Sequence, residues 1–267
     1  MAFSVTADQK PPVFLLTNDD GFDAPGLLAL RLAAQGLGEC RVIAPLAAES
    51  GCGHRVTTHG ALRVSRREGD VLAVSGTPAD CVRLARHHLA TDARWVLSGI
   101  NAGGNLGTDI HHSGTVAAVR EGAIHGLPGV AVSQYIARGR PIDWRRAERW
   151  TRVVLAELLT RPCPPGAFWN VNLPALEPDE PDPEIIFCPI DPSPLPLHFE
   201  VEADGAVYRG DYHGRERRKA ADVAVCFGGQ IAVSLARVFE IEPDPKSTGD
   251  PNGTTGRGLA GAAAAVS

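Results

Sequence analysis

The run Val13-Phe14-Leu15-Leu16-Thr17-Asn18 is apolar on consecutive residues and closes on Asp19-Asp20-Gly21. A strand with one wet face alternates apolar and polar side chains. One that is apolar at every position has both faces covered, as in a parallel strand between two helical layers. This segment therefore commits the chain to the α/β class. Pro25 next stands where a helix can begin, with Asp23 available as its cap. Leu27, Leu28, Leu30, Leu32, Ala33 and Ala34 give that helix an apolar face before Gly36 stops it. Residues 41–44 (RVIA) form the next strand, so the chain opens as βαβ.

Further along, residues 45–60 are a polar, glycine-containing loop, and 62–64 and 71–75 are short strands. Thr77-Pro78-Ala79-Asp80 is a strong helix start: a capping hydroxyl, a proline in the first turn and an acid three residues after the cap. Cys81, Leu84, Ala85, His88 and Leu89 continue at helical spacing. Residues 95–97 are a strand, 98–112 a long Gly/Asn loop, 113–124 a helix, 130–133 a strand and 144–159 a longer helix. Proline is dense from 162 to 196, leaving strands at 168–171 and 184–187, with another at 231–235. The partition expected is a single unit over 1–245, its core at about 13–160 and an irregular excursion at about 161–245. The Gly/Ala/Thr-rich tail, 246–267, is expected to be disordered.

Composition narrows the partners. The formal net charge is −5, so the molecule as a whole does not attract a nucleic-acid polymer. A small anion is not excluded, because a bound cation can dominate a site whatever the global charge. No apolar run of 18 residues and no charged-then-apolar leader occur, so no membrane partner is expected and the cytoplasm is the expected compartment. Six dispersed cysteines without a C-x-x-C pair read as reduced thiols.

Chemistry concentrates at two strand ends. In open α/β sheets, ligands bind beyond the carboxyl ends of the strands. At the first such end, Gly21 lets the backbone turn so that Asp19 and Asp20 can address one point. Two carboxylates at about 4 Å repel by roughly 4 kcal/mol at an effective dielectric of 20. They need a shared proton, as in an acid/base dyad, or a cation; the same pair would also serve an Asx-turn at a βα junction. The second end is the loop 98–112, whose glycines allow close backbone approach to an anion. Asn101 and Asn105 carry amide oxygens suited to magnesium, manganese or calcium, although Asn and Gly also fill left-handed turn positions. Ser113, Gly114 and Thr115 then open a helix whose unpaired N–H groups and dipole favour phosphate, with Ser113 equally an ordinary cap. Ser50 taken alone is a turn serine.

Several templates fail: there is no G-x-x-x-x-G-K-[ST] phosphate loop, no G-x-S-x-G elbow and no H-E-x-x-H, and the glycine loop's G-x-x-x-G-G-x-x-G spacing with no immediate helix does not fit a dinucleotide fingerprint. Surface or helix-packing roles suit most of the histidines, His54, His59, His87, His88, His111 and His112 among them.

Four segments together resemble the SurE family of nucleotidases, also called survival proteins. They are Leu16-Thr17-Asn18-Asp19-Asp20-Gly21; Ala44-Pro45 followed by Ser50-Gly51; Gly76-Thr77-Pro78-Ala79-Asp80-Cys81-Val82; and Ser98-Gly99-Ile100-Asn101-x-Gly103-x-Asn105-x-Gly107-x-Asp109-x-x-Ser113-Gly114-Thr115-Val116. Their order and spacing match over roughly residues 13–135, and the combination is highly specific. The resemblance implies a Rossmann-like, doubly wound, mostly parallel sheet that removes phosphate from nucleoside 5′- and 3′-monophosphates, in some relatives also from short polyphosphate. It places one divalent ion per subunit, Mg²⁺ or Mn²⁺, on Asp19, Asp20, Ser50 and Asn101, and the assignment of Ser50 rests on it alone. Asp19 and Asp20 are thus the catalytic candidates. Asn18, Asn105, Ser113, Gly114 and Thr115 are the substrate-binding ones, with Asn18 or Asp20 positioning the attacking water. The general acid is not evident.

Residues 221–225 and 229–234 are loosely similar to the family's late strand. Arg120 stands where relatives are usually apolar, and the segments 174–197 and 215–219 have no counterpart; for the latter a solvated face is the expectation, with contact to a substrate or a neighbouring subunit the alternative. Relatives assemble through this half, which implies a homodimer or homotetramer. The rivals to a phosphomonoesterase are an inactive nucleotide-binding module and a metal-dependent nucleotide or sugar transferase.

Overall fold

A computed structural model describes residues 11–239; the tail expected over 246–267 lies outside the described residues. In chain order the first half runs β1 (Val13–Thr17), α1 (Pro25–Ala34), β2 (Glu39–Pro45), β3 (Val64–Arg66), β4 (Val71–Val74), α2 (Pro78–Leu84), β5 (Trp95–Ala102) and α3 (Gly114–Ile124). The second half runs β6 (Gly129–Gln134), α4 (Trp144–Leu158), β7 (Ala167–Leu173), β8 (Ile185–Phe187), β9 (Phe199–Glu202), β10 (Gly205–Tyr208), α5 (Asp222–Phe227) and β11 (Ile231–Arg237). Nine strands form one sheet in the order β3-β4-β2-β1-β5-β6-β7-β11-β8, and β9 and β10 make a separate hairpin. Within the nine-stranded sheet pairing is parallel except between β3 and β4 and between β7 and β11, and the hairpin is antiparallel.

The unbroken apolar run of β1 has the cause expected of it. Phe14 and Leu16 pack with Leu27, Leu30, Trp150 and Leu155 of α1 and α4, while Leu15 packs with Val82, Val116 and Val119 of α2 and α3. The three β1 side chains are fully buried, each worth about 1.5–3 kcal/mol of transfer free energy. Helices therefore cover both faces, and the sheet is doubly wound as expected.

From β1 the chain winds through α1 to β2, on one side; from β5 it winds through α3 to β6, on the other. β1 and β5 are neighbours, so their carboxyl ends flank the point where the winding reverses and a crevice opens. β5 is longer than expected. It runs on to Ala102, bulging between Ser98 and Asn101 against β6. Gly99 (φ +129°) is required there, since a Cβ would lie 2.2 Å from the Val132 carbonyl oxygen.

Residues beyond 160 are less irregular than the prolines suggest, because β7, β11 and β8 extend the main sheet. Residues 221–225 are not part of a strand: they fall in α5 and the residue before it. Asp222 at its start accepts backbone N–H bonds from Gly107, Asp191 and Val223, and Val223 and Cys226 are buried one helical turn apart. The hairpin β9–β10 left no signal that was read in the sequence. No helix of the described residues is long and apolar enough to cross a membrane.

Candidate metal and phosphate site

Beyond β1 the Asn18 amide donates to the Gly21 carbonyl (2.8 Å), closing the turn for which Gly21 adopts φ +108°. Asp19 is 5% exposed. Its Oδ1 accepts the Thr115 hydroxyl at the start of α3, and its backbone carbonyl accepts the Glu49 N–H (2.7 Å). Asp20 turns toward β5, its Oδ2 accepting the Ala102 N–H (3.3 Å). A turn closed by Cys52 N–H on the Glu49 carbonyl (3.1 Å), with Gly51 at φ +72°, presents Ser50. The loop is held beyond that point by Gly53 N–H on the His112 carbonyl and by the Thr77 hydroxyl on the Arg55 carbonyl. Asp80 completes the anchorage by accepting from the backbone N–H and hydroxyl of Thr57.

At the end of β5, the Asn101 amide nitrogen donates to the Gly103 carbonyl (2.8 Å), which leaves the Oδ1 lone pairs available to a cation. Asn105 is buried and fixed on every side. Its amide donates to Ser133 Oγ (2.7 Å), its N–H to Asn172 Oδ1, and its carbonyl accepts from Asn170 and Asn172. Ser113 caps α3 by accepting from Val116 N–H (3.0 Å).

Asp19, Asp20, Ser50 and Asn101 line one cleft of about 300 Å³. Asn105 and Ser113 line it too, with Asp109, His112 and Leu195 closing the rest. Asn18, Gly114 and Thr115 are not among its lining residues: Asn18 shapes the turn, Thr115 holds Asp19, and Gly114 makes room for it. A Cβ on Gly114 would lie 2.8 Å from Asp19 Cβ and 3.0 Å from Cys52 Sγ.

The electrostatics ask for a cation. Burial pushes the Asp19 carboxyl up to about 6, against the Thr115 hydrogen bond and with added repulsion from Asp20. Burial raises Asp20 too, opposed by the Ala102 N–H. No Lys or Arg is among the lining residues. Cys52 is pushed up to about 11 by burial and then by Asp19 and Glu49, which favours its neutral thiol form. Among the described residues no group of three or more His, Cys, Asp or Glu is placed to hold a metal ion. The donors here are instead two carboxylates, a hydroxyl and an amide, an all-oxygen set that fits Mg²⁺ or Mn²⁺.

The model of the Survival protein SurE family matches residues 14–189. The chain belongs to the SurE family. A Nostoc sp. protein assigned provisionally as a 5′-nucleotidase is 51% identical over 84% of this chain and 99% of its own length. The 5′-nucleotidase SurE of Myxococcus xanthus is 45% identical over 64% of this chain and 65% of its own. The crystal structure of the SurE protein from Aquifex aeolicus superposes with a TM-score of 0.75 at 30% identity, covering 85% of this chain and 94% of that one.

Within this SurE chain the residues that sequence reasoning missed come from the C-terminal half. Arg215, expected on a solvated face, is 2% exposed, and its Nη1 meets Asp109 Oδ2 at 2.9 Å. The same oxygen accepts the Tyr212 hydroxyl (2.8 Å) and the Leu106 N–H (3.2 Å), while Asp222 accepts the Gly107 N–H (2.8 Å). Two late segments thus clamp the loop that carries Asn105 and Asp109. Only Asp109 had a signal, its place in the glycine-loop motif. Arg120, the odd cation of α3, donates to the Ile110 carbonyl (2.7 Å) and fastens the same loop from below.

Proposed function

We propose that this chain is a divalent-metal-dependent phosphomonoesterase acting on nucleoside 5′-monophosphates. One observation carries the reading: two adjacent carboxylates, Asp19 buried and Asp20 half-buried, share a cleft with a hydroxyl and an amide oxygen beside the N-terminus of α3, and no Lys or Arg is among its described lining residues. The names of its relatives, a 5′-nucleotidase in Myxococcus xanthus and a provisionally assigned one in Nostoc sp., support the substrate class.

Asp19, Asp20, Ser50 and Asn101 would hold one Mg²⁺ or Mn²⁺ per subunit. When bound, the ion supplies Lewis-acid polarisation of a phosphoryl oxygen and a more acidic water. The chain's own residues do the rest. Thr115 and Ala102 fix the two carboxylates in position. The positive end of the α3 dipole and the Ser113 hydroxyl, which lines the cleft, would receive the remaining phosphoryl oxygens as charge builds. Asn105, locked by Ser133, Asn170 and Asn172, offers a rigid polar wall to the phosphate. The reading extends to nucleoside 3′-monophosphates and short polyphosphate, since these features recognise a phosphoryl group and not a base.

The test is a panel of 5′- and 3′-nucleotides and tripolyphosphate, each with Mg²⁺, Mn²⁺ or EDTA, scored by phosphate release. Release that needs the metal and falls by at least 100-fold in folded Asp19→Asn and Asp20→Asn variants is expected. Full activity of both variants, or metal-supported binding with no release, would end the proposal.

A further inference from the structure

Hydrolysis of an alkyl phosphate leaves an alkoxide, which needs a proton as the P–O bond breaks. Few groups in the cleft can give one. Asp19 and Asp20 belong to the cation. Asp109 accepts three hydrogen bonds on one oxygen, one of them from the Arg215 guanidinium, and so is held as an acceptor. The amide nitrogens of Asn101 and Asn105 are spent on Gly103 and Ser133.

His112 is different. It is the one imidazole among the lining residues, and an imidazole ring nitrogen can carry and donate a proton. Its backbone is fixed at the junction of three parts of the site. Its N–H donates to the Asp109 carbonyl (3.0 Å), its carbonyl accepts the Gly53 N–H of the Ser50 loop (3.2 Å), and the next residue caps α3. Its ring makes no hydrogen bond to protein among the described residues. By contrast, the rings of His54 and His125 are both bound to Glu121, at 2.7 and 2.9 Å.

We infer that His112 is the general acid that protonates the leaving ester oxygen, an inference that rests on the phosphomonoesterase reading. As water oxygen bonds to phosphorus, the bond from phosphorus to the ester oxygen breaks and its electron pair stays on that oxygen. The imidazolium proton passes to it, releasing the nucleoside as an alcohol. The attacking water gives its proton to solvent, and solvent reprotonates the ring.

A general acid matters for a poor leaving group and little for a phenol that departs as a stable anion. The test compares adenosine 5′-monophosphate with p-nitrophenyl phosphate at saturating Mn²⁺, in wild type, His112→Gln and His112→Phe. Expected is a kcat loss on the nucleotide of about 100-fold or more, a loss below about 3-fold on the nitrophenyl ester, and an unchanged Mn²⁺ titration. Equal losses on both esters, no loss on either, or weakened Mn²⁺ binding would each overturn the assignment. A wild type that releases phosphate from neither ester would instead defeat the phosphomonoesterase reading itself.

Discussion

At the scale of single residues, Asp19 couples protons, metal and stability. Its folded carboxyl titrates at about 6, above the usual carboxylate range, with burial the main cause. A folded value raised above the unfolded one means that the fold favours the protonated acid. Its contribution is full below about pH 4 and is lost as the pH rises through about 6. For the metal-free protein this predicts a stability loss of about 3 kcal/mol between those limits, read by denaturant unfolding at each pH and flattened in Asp19→Asn. The same linkage predicts that Mn²⁺ affinity drops as the pH falls below about 6, which isothermal titration at several pH values checks. Gly114 offers a second prediction. Alanine there gains at most about 1 kcal/mol of helix propensity, yet its Cβ would crowd Asp19 Cβ at 2.8 Å. Displacement of the carboxylate should outweigh propensity, so Gly114→Ala is expected to weaken Mn²⁺ binding at least ten-fold, and unaltered binding would show that Asp19 has slack.

At the scale of elements, local chemistry was legible wherever one segment decides its own structure. The run of β1, the Pro25 helix start and the Thr77 capping box, in which Thr77 and Asp80 exchange hydrogen bonds, could all be read from residues a few positions apart. Asp19 and Asp20 stood out in the same local way, as a pair at a strand end, whereas joining them to Ser50 and Asn101 rested on the family resemblance. What escaped depends on partners far along the chain. Arg215 lies 106 residues from Asp109, and Asp222 lies 115 from Gly107; no local pattern says that a cation in an Arg/Lys cluster will be buried. The pair predicts its own energetics. Among the described residues Arg215 Nε and Nη2 have no hydrogen-bond partner, so the ion pair repays its desolvation poorly, while removing one member strands the other. Arg215→Ala should cost about 3–5 kcal/mol, and Arg215→Met combined with Asp109→Leu should cost much less than the two single changes added together; a urea double-mutant cycle measures both.

At the scale of the whole molecule, the hairpin β9–β10 is the part left without cover. Every one of its eight paired residues is exposed, including Phe199, Val201, Val207 and Tyr208. A lone two-stranded hairpin is marginal in water, which supports the proposal that this half joins copies into a homodimer or homotetramer. Light scattering should give a multiple of the 28.2 kDa chain mass, and replacing the hairpin with a short Gly-Ser link should reduce it; a monomeric intact chain would refute the idea.

The clamp on Asp109 has one more implication. A wall of the cleft is adjusted from residues 212–222, a stretch that contributes no strand to the main sheet and no donor to the proposed ion. Substrate preference can therefore drift through substitutions in that late stretch while the reactive machinery stays untouched, so grafting it between relatives is a route to retuning the enzyme without rebuilding it.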